Sequence, residues 1–234
     1  MIMTVNSEKL YDLLLNHFGH QDWWPVDHTY HATHHSDPRF EVIVGAILTQ
    51  NTAWSNVKKA LENLKRHNAL TIESIARMDI NTLKTMIQPS GFFNQKAHRL
   101  KTITAFIQQN FEANLSAFFS RDTRVVRKEL LALNGIGPET ADSILLYVGN
   151  QPVFVIDAYT KRISRRIPLP VPRDTYDELQ RFFERTLQKK YPAEHLVPVY
   201  KELHALIVEL AKNYCRTTPL CDQCPLTRLC QKTL

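Results

Sequence analysis

The chain has 234 residues, 44% of them hydrophobic and 22% charged, a balance that suits a globular protein with a sizeable core in one or two domains. Its formal net charge of +6 favours a polyanionic partner. No apolar run approaches the roughly 18–20 residues of a membrane span, and Met1-Ile2-Met3-Thr4 carries no signal-peptide pattern, so a cytoplasmic protein without membrane contact is expected.

Helical periodicity dominates, broken at short intervals by Gly or Pro. Ser7 is placed to cap a helix with Leu10, Leu13, Leu14 and Phe18 on one face. Between Gly19 and Pro38 the periodicity lapses. That stretch holds Trp23-Trp24-Pro25 and His20, His28, His31, His34 and His35, whose irregular spacing suits a solvated loop better than a metal site. Asp37-Pro38 opens a helix expected over 40–50, with Phe40, Ile43, Val44 and Ile47 at core spacing, and Asn51-Thr52 ends it. A helix carrying Trp54, Val57, Leu61 and Leu64 follows, then shorter ones over 71–78 and 81–87 and a turn at Pro89-Ser90-Gly91. A long helix from Asn94 runs through Ala97, Leu100, Ile103, Ile107 and Phe111, and Asp122 begins another that ends at Leu133.

Leu133-Asn134-Gly135-Ile136-Gly137-Pro138 then reads as a tight hairpin between two helices. Gly135 and Gly137 can take positive φ and leave N–H groups uncovered, and Pro138 suits a first helical turn. Uncovered N–H groups at a helix N-terminus hold phosphate well. Beyond it, the apolar run Val153-Phe154-Val155-Ile156 delivers Asp157 to the start of a short basic helix. A Pro-rich link and two long helices over 175–190 and 194–214 complete the pattern, with no convincing strand. The expected class is all-α. All four cysteines, Cys215, Cys221, Cys224 and Cys230, lie in the last 20 residues, which in a cytosolic chain argues for a metal site and against disulfides.

A phosphate-gripping hairpin with an acid at a fixed distance behind it resembles the helix-hairpin-helix Gly/Pro-Asp superfamily of DNA glycosylases, the endonuclease III relatives. The resemblance is in register from about Trp23 to Cys230. It implies a two-lobed helix-hairpin-helix glycosylase fold with a C-terminal 4Fe–4S cluster loop. One lobe would be continuous, a six-helix lobe over 37–150, and the other discontinuous, over 1–36 and 151–234, with a cleft between them. Asp157 matches the catalytic carboxylate. Gln50, in Ile47-Leu48-Thr49-Gln50-Asn51-Thr52, matches the glutamine that fills the gap left by a flipped base. Phe92, in Gly91-Phe92-Phe93-Asn94-Gln95-Lys96-Ala97, sits at the wedge position, where an apolar ring recovers stacking lost on flipping; Phe93 is expected in the core. Gly135, Ile136 and Gly137, with Lys161, Arg162, Arg165 and Arg166, would bind the backbone of double-stranded DNA.

The cysteine spacing is similar to the family's iron–sulfur loop, with five residues in the first gap where six are usual. Four-cysteine zinc is the rival. Either metal would be structural, with Arg216 and Arg228 presenting charge to phosphate. One departure bears on chemistry: bifunctional members carry a lysine where this chain has Glu139, and a glutamate cannot form the Schiff base of strand cleavage. Trp23-Trp24-Pro25, Thr49-Gln50-Asn51-Thr52 and Gly137-Pro138-Glu139-Thr140-Ala141-Asp142 look like a branch near bacterial 3-methyladenine glycosylases. Trp23, Trp24 and Phe40 are then the candidates for stacking an electron-poor purine.

The expectation is a monomeric, monofunctional alkylpurine glycosylase. An endonuclease III-like enzyme for mismatched or oxidised pyrimidines and a non-catalytic DNA-binding module are the rivals.

Overall fold

A computed structural model describes residues 5–230. The secondary structure among them is helical, with no strand, and none of their helices is long and apolar enough to cross a membrane. The chain divides into two compact units, Trp24–Asn150 and a discontinuous one formed by Met1–Trp23 with Gln151–Leu234. The division falls at Trp23, so residues 24–36 belong with the continuous unit and not with the N-terminal helix.

The first helix, α1 (Ser7–Phe18), belongs to the discontinuous unit. Its cap is Asn6, whose side chain accepts from Lys9 N at 2.8 Å; Ser7 instead lies buried and donates to Phe183 O. The continuous unit then runs through α2 (His28–Thr33), α3 (Pro38–Leu48), α4 (Trp54–Arg66), α5 (Ile72–Arg77), α6 (Ile80–Ile87), a 3-10 turn at Gln88–Ser90, α7 (Phe93–Phe111), α8 (Leu115–Phe119), α9 (Thr123–Ala132) and α10 (Pro138–Tyr147). The chain returns to the first unit with α11 (Ala158–Arg166), α12 (Tyr176–Lys190) and α13 (Ala193–Asn213), then a 3-10 turn at Cys221–Gln223. Helix α8 was too short to show a period, and α2 lies where the histidines masked one.

The continuous unit is built around α3 and α10, which pack on each other and on their neighbours with every residue from Phe40 to Leu48 and from Thr140 to Tyr147 buried. Two helices buried on all sides lie inside their unit, and Gln50, just past the end of α3, bonds to Gly135 and to Thr140 at the start of α10. In the discontinuous unit, α1, α11 and α12 each pack against α13.

The histidine-bearing stretch is not a solvated loop throughout. Asp27 caps α2, and His31 is 3% exposed, with Nε2 2.9 Å from Glu41 Oε2 on α3 and Nδ1 2.7 Å from Ser36 Oγ. Glu41, itself buried, also receives Lys65 Nζ at 2.8 Å. A buried carboxylate needs such partners, and this one fastens 27–36 to α3 and α4.

Candidate nucleic-acid interface and active site

In the continuous unit the hairpin joins α9 to α10. Arg127 grips the buried carboxylate of Asp142 through Nε at 2.6 Å and Nη2 at 3.0 Å, a two-pronged ion pair that braces its arms. Gly135 has φ +83°, and a Cβ there would meet the Arg99 side chain, so backbone conformation and close packing both favour glycine. Gly137 has φ −90° and takes no left-handed conformation; it serves as the cap of α10, with Pro138 at the first turn.

Among the described residues the amides of Gly135 and Gly137 donate no hydrogen bond, which suits an anion at this helix start. Ile136 differs. Its amide donates to Leu133 O at 3.1 Å and its side chain is buried, so it holds the turn's shape and offers no donor to phosphate.

Gln50 follows the end of α3 and is bound to the hairpin. Its Nε2 donates to Thr140 Oγ1 at 2.8 Å and to Gly135 O at 3.2 Å, while Oε1 accepts from Arg99 Nη1. In this structure the side chain therefore ties α3, α7 and α10 together. Phe92 caps α7 in the left-handed region, at φ 44°, and is 61% exposed. Such a conformation is costly for an aromatic residue, and it holds an apolar ring out in water. Phe93 beside it is half-buried.

The aromatic candidates separate. Phe40 is 1% exposed in the core of its unit, as its spacing with Ile43, Val44 and Ile47 requires, and cannot stack on a base. Trp24 closes over α3, with its indole 3.3 Å from where a Cβ of Gly45 would stand, and meets Trp54 and Tyr147 edge-on. Trp23 lies in the other unit. Its ring meets His204 of α13 at 6.0 Å between centroids, and Lys212 Nζ stands 5.2 Å from its centre.

His204 leads to the carboxylate. Asp157 caps α11: Oδ1 accepts from Thr160 N at 2.6 Å and Thr160 Oγ1 at 2.8 Å. Oδ2 lies 3.6 Å from His204 Nε2. Burial pushes this carboxyl up, but His204 and the two Thr160 bonds outweigh it and hold it below the ordinary value of 3.8. The group is thus an ionised, buried carboxylate with one oxygen fixed by its helix. His204 and Lys212 escaped the sequence reading because each sits in an ordinary amphipathic helix, where nothing local marks it as a neighbour of Trp23 or Asp157. Glu139 is exposed on the first turn of α10, beside the hairpin.

Much of the basic helix α11 is engaged within its own unit. Arg162 donates to Cys215 O at 2.8 Å and Ala211 O at 3.3 Å, closing the end of α13, so through Nε and Nη2 it braces the cysteine loop. Arg166 likewise reaches Cys215 Sγ at 3.2 Å and Arg216 O at 2.7 Å, and Arg165 pairs with Asp174. Lys161 stands 5.7 Å from the centre of the Tyr176 ring.

The first and last cysteines meet at Arg166, since the Cys230 thiol donates to its carbonyl at 3.1 Å. Cys221 and Cys224 share the last 3-10 turn. Burial pushes the Cys224 thiol up, and Cys215, Cys230 and Cys221 act on it in the same direction. Four soft donors in one loop fit a thiolate-bound metal by their chemistry, although no group of three or more Cys, His, Asp or Glu among the described residues stands at metal-holding spacing.

Residues 44–189 match a family described as HhH-GPD superfamily base excision DNA repair protein. The chain is 45% identical over 223 residues to the Methanocaldococcus jannaschii protein named "Putative DNA repair glycosylase MJ1434", covering 95% of this chain and 94% of that one. Among solved structures it resembles the H. pylori 3-methyladenine DNA glycosylase MagIII bound to 1,N6-ethenoadenine, with a TM-score of 0.71 and 33% identity over 89% of this chain and 98% of that one. It also shares the fold of endonuclease III in a trapped covalent DNA intermediate, with a TM-score of 0.74 at 20% identity, covering 97% of each chain.

Proposed function

Because this chain belongs to the HhH-GPD superfamily of base excision DNA repair proteins and is a DNA repair glycosylase of that family, we propose that it is a monofunctional enzyme that removes alkylated purines from double-stranded DNA. The observation that carries this reading is the set Trp23, His204 and Asp157, in which one imidazole neighbours both an indole, edge-on, and a buried, ionised carboxylate. The likeness to a 3-methyladenine glycosylase supports the same substrate class.

A purine alkylated at N3 or N7 carries a positive charge, so it stacks well on an indole and is already a good leaving group. As the bond from C1′ to the base breaks, its electron pair neutralises the departing purine and the sugar becomes an oxocarbenium ion. Asp157 stabilises that cation and orients the water that adds to C1′, whose proton passes to solvent. No strong general acid is needed. Glu139 offers no amine where the resemblance places the Schiff-base lysine, so the strand is left intact at an abasic site. Gly135 and Gly137 would hold phosphate through their amides, and Phe92 would enter the stack as the base leaves it.

Cys215, Cys221, Cys224 and Cys230 would hold a 4Fe–4S cluster, and Arg162 and Arg166 brace the loop that carries them. Bound there, the cluster would cross-link the C-terminal loop. Iron and sulfide content, with absorbance near ~400 nm, separates it from zinc.

The test is a gel assay on methylated duplex DNA, with each sample split before hot alkali. Breaks only after alkali support base excision without strand cleavage. Breaks without alkali would overturn the monofunctional reading, and none in either half would overturn the alkylpurine reading in favour of mismatched or oxidised pyrimidines.

A further inference from the structure

Lys96 is fully buried, at 0% exposure, one turn into α7. Its ammonium donates to Leu48 O at 2.8 Å and to Ser90 O at 2.7 Å. Leu48 is the last residue of α3, where carbonyls lack intrahelical partners and a cation is favoured by the helix dipole. Ser90 ends the 3-10 turn before Gly91. Burial, and then the nearby Arg99, pull the Lys96 ammonium down to about 8. A methionine would fill the same space without that cost, so the charge is retained for what it binds.

What it binds are two turns, each leading within two residues to a side chain read above as meeting DNA: Leu48 to Gln50, and Ser90 to Phe92. Gln50 is meanwhile fixed to the hairpin through Gly135 O and Thr140 Oγ1. We propose that Lys96 is a positioning residue that sets the wedge Phe92 at a fixed distance from Gln50 and the hairpin, so that base extrusion and phosphate binding occur in one register. This rests on the glycosylase reading above. Lys96 touches no reacting atom and acts through the two carbonyls.

The role separates from plain stabilisation by substrate. A lesion inside a paired duplex must be extruded, whereas the same lesion in an unpaired bulge is already unstacked and needs no wedge in register. Lys96→Met is compared with the unaltered protein on an N3-methylated adenine in both settings. Loss of the two bonds should lower kcat/KM on the paired substrate on the order of tenfold while leaving the bulged substrate within about twofold. Equal losses on both, or none on either, would overturn the proposal. If the unaltered protein releases the base from neither substrate, the alkylpurine reading above has failed and this one falls with it. Should Lys96→Met not fold, Lys96→Gln places a polar group in the same space and is read by the same ratio.

Discussion

Asp157 gives its two carboxylate oxygens different neighbours: Oδ1 caps α11 at Thr160, and Oδ2 faces His204 Nε2 at 3.6 Å. Capping therefore does not compete with the proposed catalytic role, because a carboxylate offers about four lone-pair sites and the cap engages only one oxygen. His204, far along the chain on α13, is the largest of the influences that lower its value, with the two Thr160 bonds beside it.

The pH dependence follows from that pair. With its pKa below 3.8, Asp157 is ionised throughout the neutral range, and base release should show no acid limb between pH 5 and 8. Its contribution to stability is fully present above the unfolded value of 3.8 and is lost as pH falls through the depressed folded value. His204→Gln removes the largest lowering influence and leaves burial opposed only by the two Thr160 bonds, so the acid limb should move upward. An unmoved limb would separate the two residues. Asp157→Asn should lower base release by at least ~100-fold in single-turnover assays; full retention would refute its catalytic role.

Borohydride trapping tests Glu139. The unaltered protein should form no covalent adduct with duplex DNA, whereas Glu139→Lys, with an amine at the first turn of α10, should form one on excision. An adduct in the unaltered protein would mean that another amine does the work.

Gly135→Ala meets two obstacles at once, a positive φ and Arg99 side-chain atoms within 3 Å of the new Cβ. A loss of about 1–2 kcal/mol in denaturant unfolding is expected from the backbone alone, with weaker duplex binding. Gly137→Ala, at φ −90° with open space around it, should be near neutral in stability.

Exposure separates the aromatic residues. Phe40→Ala should cost about 3–5 kcal/mol by emptying a core site, and its activity should fall only through folding. Phe92→Ala should leave stability within about 0.5 kcal/mol, since the ring is 61% exposed, yet reduce excision from paired duplex. A Phe92→Ala enzyme with full activity on paired DNA would remove the wedge.

The helical class, the hairpin, Asp157 at a helix start and the exposed Phe92 after a glycine turn were all legible in the sequence. Each is written in a short run of neighbours: a 3.6-residue period, a Gly-x-Gly-Pro turn, a cap. What the sequence left open concerns partners chosen across long chain separations. Phe40 and Trp23 both read as available aromatics, but only packing shows that one fills a core and the other lies against His204. Arg162 reads as a phosphate ligand, and only the fold shows it also bonding the end of α13, while His31 reads as solvated until Glu41 lies beneath it. Nothing in its sequence neighbourhood marks Lys96, and its burial between Leu48 and Ser90 follows from how α3 meets α7. Local chemistry determines turns, caps and periods because their energies arise within a few residues. The ionisation of Asp157 and the commitments of Gln50 and Lys96 depend on burial and on distant groups, so they exist only once the tertiary structure has formed.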